Sequence, residues 1–378
     1  MFTLERKGVI RQIYVWSDLA SPADLREEWL PRFEMAVKTL KVDLRGPVQD
    51  EWVLKFTDLE RPTRTEGVYE ESIFYIQTHQ NGALWEISTL ESPNFGRTID
   101  SLIGFVPKLG YVLIPPSYIK DLMKSYDPHQ ELTAFTAKRD YFSIEVSNPH
   151  EKIRRNFADL TYRSSNVPKD YVTLVEEKPV GPLMLTRVDL KITFHSSEER
   201  TCGIRIDIGG KVSQIRRGDK EIFLEIRNRI LKFLKTKYEE LHDRLPQSQI
   251  EELEDEKTRT TMISKKIVRQ PVEYVVKLTR NIEPIDCKRI IGLFAGNFCR
   301  SGFFGIVERE SNSFCLVRTT NITGGGEALI EIPLSKDVIL VHPLPTTTTR
   351  TLDTIYRTIL EKLDVDSILT CGLVKISS

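Results

Sequence analysis

Ten Lys and Arg residues against four Asp and Glu fall between Arg205 and Lys237. Side chains of this kind can hold a phosphate backbone, because each cation that meets a phosphate releases a condensed counterion. Lys211, Arg216 and Arg217 lie on or near turns, and Arg227, Arg229 and Lys232 follow at helical spacing. These six are the candidate nucleic-acid contacts. The competing reading is a solvated helix face whose charge is answered elsewhere in the fold.

A second anion site is read in Thr346-Thr347-Thr348-Thr349-Arg350, at the start of a helix. Free amides there, with the hydroxyls of Thr348 and Thr349 and the Arg350 guanidinium, suit an anion; a single capping threonine explains much of the same run. A third pattern, Asp170 followed by Asp189-Leu190-Lys191, matches the acid and DxK arrangement of metal-dependent nucleases. In that chemistry two carboxylates hold a divalent ion and the lysine orients the attacking water. Asp189 and Lys191 share one side of their strand, which is also where charge belongs on any amphipathic strand. Gly324-Gly325-Gly326 lacks the spacing and the following helix of a phosphate loop and reads as a hairpin loop.

Other reactive residues are dispersed. His79, His129, His150, His195, His242 and His342 form no HxH or HExxH pattern. Cys202, Cys287, Cys299, Cys315 and Cys371 contain no CxxC pair, which fits reduced thiols better than a disulfide framework. No GxSxG elbow occurs. The residues therefore point to no metal, no cofactor and no catalytic group. Trp16, Trp29, Trp52 and Trp85 sit in apolar-periodic segments and read as core anchors.

The elements that must position the basic residues are legible as patterns. Arg187–Phe194 and Cys202–Ile208 alternate as two strands of a hairpin, Gly209-Gly210 turns the chain, and Val212–Ile215 starts a third strand. Asp219 is placed to cap a helix. That helix sets Ile222, Phe223, Ile226, Ile230, Phe233, Leu234, Tyr238 and Leu241 on one stripe. Arg227, Arg229, Lys232, Lys235 and Lys237 are assigned to the opposite face.

Upstream, the pattern predicts a strand over Val9–Trp16 and a helix capped by Ser21 with Pro22 at its first position. Asp58–Gly67 reads as a loop, and Asn81-Gly82 as a hairpin turn. Asn148–Asp170 reads as a linker. The acidic run Glu251–Glu256 is followed at once by Lys257, Arg259, Lys265 and Lys266, and it can fold back on the basic helix. From Val272 short strands and one helix near Leu352–Leu363 make a last unit, closed by a strand over Ile368–Ile376.

A chain of 378 residues exceeds one hydrophobic core, so two or three domains are expected. They are 1–150, an N-terminal α+β region; 165–245, a strand-strand-strand-helix unit; 246–271, a charged connector; and 272–378, a C-terminal α+β domain. The expected fold class is α+β, with mixed or antiparallel sheets and helices packed on one face. Lys+Arg and Asp+Glu are 54 each, so any nucleic-acid affinity must be local. Met1–Lys7 lacks the apolar run of a leader and no window is long enough for a bilayer. The expectation is a cytoplasmic protein without a membrane partner. Its leading function is a non-catalytic accessory subunit gripping nucleic acid; the alternatives are a protein-interaction subunit and a metal-dependent phosphodiesterase.

Overall fold

The computed structural model describes the chain apart from residues 1–8, 49, 64, 66, 91–94, 127–129, 146–151, 164–183, 196–198, 216–217, 243–244, 246–247, 256–259, 268–271, 296–301, 323–325, 365–366 and 374–378. For 130–145, 152–163, 184–185, 195, 199, 242, 248–255, 260–267, 272 and 371–373 the backbone alone is described. Two compact units result. The first comprises 1–140 and 157–235, the second 141–156 and 236–378.

The first unit is built on one antiparallel sheet. Its strands are β1 (Arg11–Ser17), β2 (Leu40–Val48), β3 (Glu51–Pro62), β4 (Tyr69–His79), β5 (Leu84–Thr89), β6 (Leu109–Tyr111), β7 (Gln130–Glu145), β8 (Lys152–Arg163), β9 (Met184–His195), β10 (Glu199–Asp207) and β11 (Lys211–Gln214). They run in the order β2-β3-β4-β5-β1-β11-β10-β9-β7-β8, with β6 also paired to β1. Strand β1 lies between β5 and β11, so the chain's beginning and its basic segment share one sheet. Alternation supplies the core: Leu54, Phe56, Phe74, Ile76, Trp85 and Ile87 are buried together.

The first helix, α1, begins at Ser21, whose hydroxyl accepts from the Ala23 amide in a capping box with Asp24. It passes from Pro22–Asp24 through a π-helical turn at Leu25–Trp29 to Leu30–Ala36. Pro31 has no N–H to donate, and the wider turn just before it absorbs the missing hydrogen bond. Helices α2 (Ile99–Phe105), α3 (Pro116–Ser125) and α4 (Lys220–His242) follow.

In the second unit β12 (Ser248–Asp255) and β13 (Thr260–Ile267) form a two-stranded ladder. A six-stranded antiparallel sheet is made by β14 (Val272–Lys277), β15 (Phe303–Glu310), β16 (Phe314–Asn321), β17 (Glu327–Pro333), β18 (Val338–Pro343) and β19 (Ile368–Leu373). Their order is β15-β16-β17-β18-β14-β19. Helices α5 (Pro284–Phe294) and α6 (Thr349–Lys362) cover the face that holds buried Tyr274, Val276, Phe303, Val317, Ile330 and Val341. Phe294 meets Phe303 edge-on with ring centroids 5.1 Å apart.

The expected α+β class is overturned: strand outweighs helix, and both large sheets are antiparallel throughout their described pairings, with no parallel pair. Polar composition misplaced several strand ends. Asp58–Pro62 continues β3 beyond the point where its loop-like residues suggest an end. The first helix stops at Ala36, and Leu40 already opens β2. The presumed linker over 148–170 contains β8 as an outer strand, and the acidic run enters β12. Long antiparallel ladders tolerate polar residues on a solvated face, so composition alone does not mark where they stop.

Candidate functional site

The basic segment is placed by β9, β10, β11 and α4. Asp219 caps the helix as its position requires, its Oδ1 accepting from the amides of Glu221 at 2.8 Å and Ile222 at 3.2 Å. Ile222, Phe223, Ile226, Ile230, Leu234, Tyr238 and Leu241 are buried, as the apolar stripe demands. Phe233 stacks on Tyr118 with centroids 3.9 Å apart. Two cations assigned to the opposite face belong on the inner side. Lys237 is buried against Asp353, to which its ammonium donates, and Arg227 reaches down to the sheet.

Arg227 ends in an enclosed polar cluster of the first unit. Its Nε donates to Glu86 Oε1 at 2.6 Å and its Nη2 to Glu86 Oε2 at 2.7 Å, a two-pronged pair. Glu86 is 3% exposed. Gln12 Nε2 donates to the same carboxylate at 2.7 Å, and His79 Nε2 lies 3.2 Å from it. Burial alone would raise the Glu86 pKa, but the bonds from His79 and Arg227 outweigh it and hold the group below its usual value. Burial, and then the Glu86 charge, push the neighbouring Tyr14 phenol well above its ordinary value.

Two other candidate contacts, Lys211 and Arg229, also meet carboxylates. Lys211 Nζ donates to both oxygens of Asp100 at 3.0 Å and lies 5.1 Å from the Tyr111 ring centroid. Arg229 pairs with Glu225 one turn back at 2.8 Å, donates to Ser125 Oγ at 3.2 Å, and sits over the Tyr126 ring. Lys232 is exposed on α4. Arg216 and Arg217 lie outside the described residues. Among the four described candidates, Arg227 points into the fold, while Lys211 and Arg229 answer separate carboxylates.

At the threonine run, Thr348 is the N-cap of α6, its hydroxyl accepting from the Thr351 amide at 3.2 Å. Thr349 and Arg350 are buried. The run therefore works as a helix start packed into its own unit. The nuclease pattern fares similarly. Asp189 is buried and receives Arg205 Nε and Nη2, each at 2.7 Å, from the residue directly opposite on β10. Asp170 lies outside the described residues. No group of three or more His, Cys, Asp or Glu able to hold a metal ion occurs among the described residues. No described helix is long and apolar enough to cross a membrane.

A different surface stands out in the second unit. Along β15, Phe304 is 48% exposed, Ile306 55% and Val307 39%, and Ile322 at the end of β16 is 46% exposed. Phe304 and Ile306 share the face of the sheet opposite α5, while Phe303 and Gly305 turn toward that helix. Leu316, Leu329 and Leu340 on the same outer face are half-buried, and His342 Nε2 lies 3.0 Å from Glu331 among them. A solvated antiparallel face is ordinarily polar, so this apolar row at a sheet edge is a departure. The sequence signal for it was four apolar residues without alternation, Phe303-Phe304-Gly305-Ile306 counting its glycine, in a strand ending in charge. Comparison with protein-family models and with curated proteins finds no match for the chain.

Proposed function

We propose that the chain is a non-catalytic subunit that works by protein–protein contact, without holding nucleic acid. The observation that carries this reading is the exposed apolar row of Phe304, Ile306 and Ile322 at the edge of the six-stranded sheet. Apolar side chains of this size gain roughly 1.5–3 kcal/mol each on full burial, which is the driving force for association. The basic helix offers less: Arg227, Arg229 and Lys211 already have carboxylate partners, and releasing Arg227 would leave the buried Glu86 charge unmatched.

Photo-crosslinking separates the two surfaces. A benzoylphenylalanine replaces Phe304 in one variant and Lys232 in another, and each full-length protein is irradiated in its host cells. The reading expects protein adducts from position 304 that vanish when Ile306→Lys is added, and no nucleic-acid adduct from position 232. Nucleic acid captured at 232, with nothing specific at 304, overturns it in favour of a phosphate-binding subunit.

A further inference from the structure

We infer that the outer edge of β15 pairs antiparallel with β15 of a second copy of this chain, about a two-fold axis through Gly305. The inference rests on the protein-contact reading and names its partner. Strand β15 ends the six-stranded sheet, and no described strand occupies its outer side. The Ile322 amide donates to the Gly302 carbonyl, so Gly302, Phe304 and Ile306 turn their backbone groups toward β16. Phe303, Gly305 and Val307 consequently turn theirs outward, where a further strand would receive them.

The side-chain pattern of this edge matches itself in one register. A two-fold axis normal to the sheet keeps the same face upward in both copies, and centring it on Gly305 sets Phe304 opposite Ile306 of the second copy. The same register sets Phe303 opposite Val307. Four exposed side chains, two from each copy, then cover one another on the open face, with Ile322 beside them. Centring on Ile306 instead sets Phe304 against Glu308, and centring on Phe304 sets Ile306 against Gly302. Gly305 itself has no side chain at the axis, and none fits: an added Cβ would lie 2.1 Å from the Phe294 carbonyl oxygen.

Charge and bulge limit the ladder to that apolar stretch. The register between β15 and β16 shifts between Val307 and Arg309, so Glu308 bulges from the ladder just where the apolar residues end, and the charged Arg309 and Glu310 beyond it pair with β16 in a shifted register. The edge strand β2 of the larger sheet is different: it exposes Lys41, Arg45 and Pro47, residues that discourage pairing. A ladder this short falls below the roughly 1,200 Å² of a standard interface. The dimer is therefore expected to form and dissociate with concentration.

Sedimentation velocity on the full chain tests this from about 1 μM upward, micromolar affinity being the weak end for protein interfaces. The mass should rise from the 43.6 kDa of one chain toward twice that value. Ile306→Lys should remain at the single-chain mass, while Ile368→Lys, on the opposite edge strand, should still dimerise; circular dichroism checks that each is folded. The double variant Phe304→Cys/Ile306→Cys should give a crosslinked dimer on mild air oxidation, because a directly opposed, non-hydrogen-bonded pair lies within disulfide reach. A chain that stays single at every concentration, or an Ile306→Lys variant that dimerises as well as the parent, overturns the inference. A single chain that nonetheless crosslinks from position 304 to a different protein leaves the protein-contact reading standing and removes only the second copy as its partner.

Discussion

At the scale of single residues the fold turns on pairs the sequence separates widely. Glu86 and Arg227 are 141 positions apart, yet the guanidinium, together with the bond to His79, keeps a carboxylate ionised in that enclosed place. Arg227→Met should cost about 3–5 kcal/mol, the range for breaking a buried ion pair by removing one partner. Replacing Glu86 by Met in the same chain should recover part of that loss, since no charge is then stranded. Urea unfolding of the four proteins in that cycle checks both. The pair also fixes a sign for pH. Because the Glu86 pKa is lowered in the fold, its contribution is fully present above the ordinary glutamate range and is lost as pH falls through the lower folded value. The parent should therefore lose more stability on acidification than the double variant; equal losses would count against a stabilising pair. What the sequence offered here was one clue only. Leu84–Thr89 is a strand whose six residues are all buried, and a glutamate in such a run requires a partner from elsewhere.

At the scale of elements, alternation read correctly where a strand has one buried face. The hairpin of β9 and β10, the short β11 and the capped helix α4 all lie where their patterns put them. The helix face was harder. Arg227 and Lys237 have long apolar stems that cross the boundary of the stripe and carry their charges inward, so a helical wheel drawn by residue type assigns them to the wrong side. Strand ends were harder still, since polar residues such as those of Asp58–Pro62 are as acceptable on a solvated ladder as in a loop. Packing requires a glycine where α5 meets β15. Gly305 lets the end of α5 lie directly on β15, and Gly305→Ala would press a methyl group against the Phe294 and Arg318 carbonyls. That substitution should destabilise the second unit by about 1–3 kcal/mol or more. Hydrogen exchange of β15 and β16 amides should accelerate; unchanged protection would mean that the helix end does not bear on the strand as described.

At the scale of the whole molecule the charge is balanced globally and, for most of the described basic candidates, also locally. Equal numbers of cations and anions give no net field to draw a polyanion, and the ion pairs of Lys211, Arg205, Arg227 and Arg229 remove much of the patch that the linear sequence displays. Composition shows how many charges a segment carries; which of them face a carboxylate is set by pairings such as β1 between β5 and β11, which join residues far apart in the chain. The apolar edge of β15 was hidden for the opposite reason. Its residues are individually ordinary, and only their place at the end of a sheet leaves them uncovered. On the proposed reading the described cations Lys211, Arg227 and Arg229 are satisfied from within and the protein's contacts are with protein. That reading is tested most directly by titrating the full chain against labelled duplex DNA and single-stranded RNA while salt is lowered. The expected result is no binding that strengthens with falling salt, and no difference between the parent and a Lys232→Ala variant. An affinity whose logarithm falls linearly with the logarithm of salt, with a slope of about −0.7 to −0.9 for each phosphate met, would contradict it.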